Sequence, residues 1–270
     1  MRFLEFQIKV LFIAFATTIM CSMGIIPILK KLKVGQIERD DGPNSHLRKQ
    51  GTPTMGGIII SLSIIIVSIL VMLYYYSVDS NVAMKIIPLL LVTIGFGTVG
   101  FVDDFKKLIL RNTKGLKPAY KMLGLLTISV MYALYLVKGT SLGIETYIPI
   151  IKEYIKMSVL IYIPFSIFVM LATTNAVNLT DGVDGLSTSV CTIIITCLTV
   201  IGIIFDVKEV VIFGSIVVGT CLGFLLFNLH PAKIFMGDTG SLLLRRCYKC
   251  TSIIFKNAIN NIGDCFDTGY

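Results

Sequence analysis

Charged residues are scarce in this chain. Of its 270 residues, only 15% are Asp, Glu, Lys or Arg, whereas 55% are hydrophobic. Soluble domains usually carry about 25% charged residues, so this composition, with a mean hydropathy of +0.84, excludes an ordinary soluble domain. The sequence also lacks low-complexity tracts, internal repeats and domain linkers. We therefore expect one helical domain that crosses a membrane several times.

Several common catalytic and binding motifs are missing as well. The sequence contains no Gly-x-Ser-x-Gly nucleophile turn, no P-loop and no dinucleotide-binding fingerprint. A zinc site is not expected, because Cys247 and Cys250 have no second cysteine pair or histidine pair to complete four ligands. The only histidines are His46 and His230, and a histidine before Pro231 is more typical of a turn than of a catalyst.

Long apolar runs are the main feature that is present. A membrane-spanning helix needs about 20 apolar residues, and the first run is too long for a signal peptide. The predicted fold class is therefore all-α: a polytopic integral membrane protein with about seven to eight transmembrane helices. The seven clear runs lie at 10–29, 58–76, 82–102, 120–137, 157–174, 187–205 and 210–229, and a weaker eighth starts at Ser241.

The net charge of +8 would suit a nucleic-acid partner if the basic residues were spread over the chain. Instead they cluster in two inter-helix segments, 30–50 and 106–117. The positive-inside rule places both segments in the cytoplasm and the N-terminus outside, so we expect a lipid bilayer and no nucleic acid as partner. Four polar islands then share the cytoplasmic face, at 46–57, 103–107, 175–185 and 230–241.

Carboxylates in these islands predict a Mg²⁺ site. Asp103 and Asp104 end the third apolar run, where the helix dipole disfavours negative charge. Carboxylates together with substrate phosphates are typical Mg²⁺ ligands, and Lys107 can pair with either aspartate or meet a phosphate. Asp238 supplies a third carboxylate. An ordinary Asp–Lys surface pair is the alternative interpretation.

The other two islands have patterns that suit phosphate binding. In 175–186 (NAVNLTDGVDGL), Asn and Asp recur at every third position, and Gly182 leaves room for a backbone or a phosphate. Lys49 precedes a Gly-Thr-Pro-Thr turn, where free N–H groups at a helix N-terminus can receive an anion. Capped turns and lysines that reach the interface are the alternatives.

From the residues alone, we interpret the chain as a membrane enzyme that uses Mg²⁺ at the cytoplasmic interface. A phosphorylated soluble substrate and a lipid phosphate are the plausible partners. A transporter is the competing class, because broken helices with charged ends also line substrate pathways. Transporter carboxylates should lie near mid-membrane, whereas these all map to one surface.

Four motifs together resemble one bacterial family, the phospho-N-acetylmuramoyl-pentapeptide transferases. These enzymes are polyprenyl-phosphate N-acetylhexosamine-1-phosphate transferases of glycosyltransferase family 4, with ten membrane helices. The resemblance covers residues 1–244. The motifs are GTPTMGG at 51–57, Asp103-Asp104 with Lys107, NAVNLTDGVDGL at 175–186, and FMGDTGS at 235–241.

The resemblance implies transfer of phospho-MurNAc-pentapeptide from its UDP carrier to undecaprenyl phosphate, giving lipid I and UMP at the cytoplasmic face of the bacterial inner membrane. Asp238 would bind Mg²⁺, and Asp103 would deprotonate the lipid phosphate beside Asp104 and Lys107. One-step and covalent aspartyl-phosphate routes stay open, as does a homodimer. The implied substrate-binding residues are Lys49, Thr52, Asn175, Asn178, Asp181, Gly182, Asp184, Asn228 and Phe235.

The resemblance ends after Leu244. Arg245 and Arg246 follow where a span should continue, at a cost in lipid, and the family's histidine-rich motif is missing. We expect 1–244 to be an incomplete transferase domain and 245–270 to be a divergent tail, as a frameshift near Leu244 would produce; the coding DNA tests this. An inactive remnant and a related GlcNAc-1-phosphate transferase are the alternative functions.

Overall fold

A computed structural model describes residues 2–32, 52–108, 115–139, 145–148, 153–156, 158–176, 184–244 and 247. Most of these residues are helical, as expected from the apolar runs. The long helices are α1 (Arg2–Lys31), α2 (Gly57–Val78), α3 (Ser80–Leu108), α4 (Pro118–Gly139), α5 (Val159–Ala176), α6 (Leu186–Ile204) and α7 (Lys208–Asn228). A further helix, α8, follows at 237–244.

A short hairpin interrupts the helical pattern. Strand β1 (Glu145–Ile148) pairs antiparallel with β2 (Glu153–Lys156), with Glu145 opposite Lys156 and Ile148 opposite Glu153. The sequence here already has some strand character. The hairpin occupies the connection between α4 and α5, so the prediction of an all-α membrane domain holds for the spanning part.

Six helices in the described part of the chain are long and apolar enough to cross a membrane. They are α1, α2, α3, α4, α6 and α7, and each matches one of the predicted apolar runs to within one residue at its C-terminal end or contains it. The run at 157–174 corresponds to α5, whose described apolar stretch is limited to Val159–Phe168. The chain is therefore a multi-pass helical membrane protein, with six of its predicted spans confirmed by helix length and composition.

Helix α7 is the centre of the bundle, because it packs against α1, α2, α3 and α6. Small residues make this possible. Gly219 lies against the Leu11 carbonyl of α1, and Gly223 lies against the Phe15 carbonyl one turn further. In lipid, helices associate through close packing rather than through the hydrophobic effect, and glycine lets two backbones approach.

Glycines also bring the ends of α2, α3 and α8 together. A Cβ on Gly57 at the start of α2 would collide with the backbone of Gly240 in α8. A Cβ on Gly100 in α3 would collide with the backbone of Asp238. This close contact fixes where the acidic residues at the ends of α3 and α8 lie relative to each other.

Candidate active site

The segment before α8 is tied to the segment before α2 by backbone hydrogen bonds. Phe235 N–H donates to Pro53 O at 2.8 Å, and Gly56 N–H donates to Phe235 O at 2.9 Å. Gly57 N–H donates to Met236 O at 2.8 Å. We expected free N–H groups here to receive an anion. At Gly56 and Gly57 that expectation is wrong, because both groups bond to the neighbouring segment.

Asp104 holds the first turn of α8. Its Oδ2 accepts hydrogen bonds from Thr239 N–H at 2.8 Å and from the Thr239 hydroxyl at 2.6 Å. Its Oδ1 accepts a third from Asp238 N–H at 3.2 Å. A carboxylate is favourable at a helix N-terminus because the N–H groups there lack partners within the helix. Asp104 therefore fixes the position of Asp238.

Asp103 and Asp238 converge on the same two ammonium groups. Lys107 Nζ lies 2.8 Å from Asp103 Oδ2 and 2.8 Å from Asp238 Oδ2. Lys121 Nζ lies 3.0 Å and 2.9 Å from the same two oxygens. The other oxygen of Asp103, Oδ1, accepts the Leu116 N–H at 2.8 Å. Two islands that are 135 residues apart in sequence thus form one charged cluster.

The carboxylates of the cluster are mostly buried. The Asp103 side chain is 3% exposed and that of Asp238 is 20% exposed. Burial alone would raise the pKa of Asp238, but the nearby ammonium groups of Lys121 and Lys107 outweigh burial and hold that pKa well below its usual range. Asp238 is therefore ionised at neutral pH.

The donor set suits a divalent cation that is shared with a ligand. Across the described residues there is no group of three or more His, Cys, Asp or Glu side chains that could hold a metal by itself. Asp103 and Asp238 nevertheless present two facing carboxylate oxygens, and Mg²⁺ commonly takes one or two carboxylates together with substrate phosphates. Both oxygens of Asp104 already accept hydrogen bonds from the first turn of α8.

The island at 175–186 is only partly described. Asn178, Asp181 and Gly182 lie outside the described residues, as does Lys49, and of Asn175 only its backbone place in the last turn of α5 is described. Asp184 lies in a turn before α6, and its Oδ2 is 3.0 Å from His230 Nδ1. Gly185 has φ +72°, and a Cβ there would lie 3.0 Å from Leu229.

Asn228, at the end of α7, supports the segment that leads to Asp238. Its Oδ1 accepts the Thr188 hydroxyl at 2.7 Å, and its Nδ2 donates to Ile234 O at 2.9 Å. Asn228 thus holds the segment before α8, and the substrate contact predicted for it stays a prediction. Phe235 is buried at 8% exposure, and Thr52 is half-buried. Stacking of Phe235 on a ligand stays a prediction.

Sequence reasoning missed Lys121, Thr239 and Thr188. Lys121 counted only as part of the apolar run at 120–137, although a lysine just inside a span at the cytoplasmic end is costly in lipid and therefore worth explaining. Thr239 follows Asp238 directly and has the pattern of a residue in the first turn of a helix. For Thr188 the sequence offers no comparable signal.

The sequence of this chain matches known protein families. A family model described as glycosyl transferase family 4 matches residues 86–256, and a phospho-N-acetylmuramoyl-pentapeptide-transferase signature matches residues 49–60.

Three similar curated proteins all carry the name phospho-N-acetylmuramoyl-pentapeptide-transferase. The protein from Caldicellulosiruptor bescii is 39% identical over 252 residues, which is 93% of this chain and 75% of the relative. The proteins from Halalkalibacterium halodurans and Acetivibrio thermocellus are 43% and 40% identical, covering 92% and 93% of this chain and 75% and 73% of the relatives.

We predict that Asp104→Asn destabilises the protein. The amide has one acceptor oxygen where the carboxylate has two, so at least one donor of Asp238 or Thr239 loses its partner, at a cost of roughly 1–3 kcal/mol. Thermal unfolding of the detergent-purified protein should show a lower midpoint. The matched control is Asp206→Asn, an exposed residue with φ +50° between α6 and α7, where Asn is tolerated. Equal midpoints for the two variants would contradict the role of Asp104.

Proposed function

Because the chain belongs to the phospho-N-acetylmuramoyl-pentapeptide-transferase family within glycosyl transferase family 4, we propose that it transfers phospho-MurNAc-pentapeptide from UDP-MurNAc-pentapeptide to undecaprenyl phosphate. An oxygen of the lipid phosphate forms a bond to the phosphorus attached to the sugar, and the bond from that phosphorus to the oxygen of UMP breaks. The products are lipid I and UMP. This reaction is the first membrane step of peptidoglycan synthesis.

The observation that carries this proposal is the convergence of Asp103 and Asp238 on Lys107 and Lys121. Transfer between two phosphorylated substrates brings several negative charges into one place. The two ammonium groups of the site can neutralise part of this charge, and the two carboxylates can share a divalent cation that neutralises more of it. The cluster also lies near the C-terminus of α3 and at the N-termini of α4 and α8. At this position a lipid phosphate and a soluble nucleotide can both reach it.

Mg²⁺ is the proposed cofactor, held by Asp238 with Asp103 beside it, and when bound it neutralises charge on the diphosphate. Lys107 and Lys121 bind phosphate oxygens and orient them. Asp103 is the proposed acceptor of the proton from the lipid phosphate. Asp104 acts indirectly, since it holds the first turn of α8 and with it the Asp238 carboxylate.

The nucleotide and sugar are proposed to lie along the island at 175–186. Asp184 faces His230, and Asn228 steadies the segment between His230 and Asp238. These contacts place the start of α6 next to the segment before α8. The further proposed contacts to the substrate come from Lys49, Thr52, Asn175, Asn178, Asp181, Gly182 and Phe235.

One alternative concerns the sugar. A GlcNAc-1-phosphate transferase would use the same carboxylates, but the signature at 49–60 and the names of the similar proteins favour the muramoyl-pentapeptide substrate. An inactive remnant is the other alternative, and an assay of the purified chain decides between it and the enzyme.

We predict that the purified chain releases UMP from UDP-MurNAc-pentapeptide when undecaprenyl phosphate and Mg²⁺ are present. Asp238→Asn should lower the rate by at least about a hundredfold, because the amide cannot hold a cation beside the diphosphate. Asp206→Asn changes an exposed aspartate just before α7, at the end of that helix away from the cluster, and this variant should keep the rate of the unchanged protein. Release of UMP by Asp238→Asn at the full rate would contradict the metal role, and no release by the unchanged chain would favour the remnant.

The proposed orientation places the active site on the cytoplasmic face of the cell membrane. Lys208 and Lys233 are exposed residues on either side of α7, which is long enough to span the bilayer. In a cysteine-free background, we predict that a membrane-impermeant maleimide labels Lys208→Cys in intact cells. Lys233→Cys should be labelled only after the membrane is permeabilised. The reverse pattern would place the cluster outside the cell.

A further inference from the structure

The two ammonium groups of the site are shared between the same two carboxylate oxygens. Lys107 and Lys121 each lie within 3.0 Å of Asp103 Oδ2 and of Asp238 Oδ2. Each carboxylate therefore already has two cationic partners. The two lysines come from different helices, α3 and α4, so the arrangement does not depend on a single helix turn.

The charges of the two aspartates and the two lysines cancel, and this affects how a cation can bind. Two carboxylates and two ammonium groups sum to zero, so the cluster as it stands does not attract a free cation by its net charge. A divalent ion that enters next to both ammonium groups would add two further positive charges at short range, which a half-buried site penalises strongly. The carboxylate oxygens that would bind the ion are also the ones that accept the lysine hydrogen bonds.

We propose that Lys107 and Lys121 are built-in counter-cations of Asp103 and Asp238, and that a divalent cation must displace at least one of these ammonium groups to bind. The lysines and the cation therefore compete for the same two oxygens. This inference rests on the proposed function, because it takes the two aspartates as the cation site of the transferase.

The displaced ammonium groups then have a defined use. A lysine that leaves the carboxylates carries a free positive charge, and the closest negative groups to receive it are the phosphates of the substrates. The cation and a diphosphate ligand should therefore favour each other's binding. In this way one pair of lysines neutralises the site when it is empty and holds phosphate when it is filled.

The stem of Lys107 packs against a neighbouring segment, although its side chain is the more exposed of the two, at 37% against 21% for Lys121. A Cβ on Gly115 would lie 2.6 Å from Lys107 Cε and 2.9 Å from its Cγ, so the backbone at Gly115 packs directly against the lysine stem. Lys121 lies in the first turn of α4, three residues after Pro118. Packing and exposure thus point in different directions, so either ammonium group can be the one that the cation displaces.

Divalent binding to the purified full-length chain, without nucleotide or lipid substrate, tests the competition. The probe is MnCl₂, with free Mn²⁺ counted by electron paramagnetic resonance. Competition predicts that Lys121→Met binds Mn²⁺ at least about tenfold more tightly than the unchanged protein, because one repelling charge is removed and one carboxylate partner is released. A lysine that merely positions the carboxylates would give the opposite sign, since its loss would weaken binding.

Three further variants make the result decisive. Lys107→Met should also tighten binding and serves as an independent test if Lys121→Met does not fold. Lys117 is an exposed residue just before α4, and its ammonium group is not one of the two between the aspartates. Lys117→Met removes this charge and should leave the Mn²⁺ affinity unchanged. Asp238→Asn should weaken binding at least tenfold, which locates the ion.

The outcomes separate the two proposals. If the unchanged protein binds Mn²⁺ through Asp238 but the lysine variants bind it equally or more weakly, competition is overturned while the proposed metal site stands. If neither the unchanged protein nor the lysine variants bind Mn²⁺, the competition is overturned, whereas the metal role in the proposed function, which includes substrate phosphates as ligands, is decided by the UMP-release assay of Asp238→Asn. Tighter binding by the lysine variants supports both.

Discussion

Buried carboxylates at the end of α3 are the constraint on which the rest of this site depends. Two adjacent aspartates, nearly without water, are costly unless each is paired. Asp104 obtains its partners from the first turn of α8, and Asp103 obtains two ammonium groups and a backbone N–H. The pairing of each aspartate therefore requires α8, α4 and the segment before α4 to lie at this end of the bundle.

Close backbone packing makes the pairing possible. Asp104 reaches Thr239 only because Gly100 in α3 lets the chain at Asp238 approach, and the start of α2 lies against Gly240. A side chain at either glycine would push α8 away from the carboxylates. Inside the bundle, Gly219 and Gly223 serve the same purpose for α1 and α7. The charged cluster and the helix packing are thus two aspects of one arrangement, in which small residues decide how closely polar groups can meet.

The sequence allowed the spans and the acidic islands to be predicted because both are local patterns. Hydropathy over about 20 residues identifies a span, and Asp103 and Asp238 stand out as carboxylates beside apolar runs. The pairing of side chains is a different matter, since it depends on how helix ends approach in space. That is why Lys121 was missed inside an apolar run. The hydrogen bonds that Asp104 accepts from the first turn of α8, and those that Gly56 and Gly57 donate to the segment before α8, were not predicted for the same reason.

The position of the cluster at helix termini also suits the proposed chemistry. A charged group at the centre of an isolated span costs several kcal/mol, whereas at the ends of α3 and α8 the carboxylates can be paired and still reach the interface. A lipid phosphate is held at that depth by its own headgroup region, and a nucleotide can reach it from water. Asp103, Asp238 and both lysines meet there, whereas α7 packs closely against α1, α2, α3 and α6.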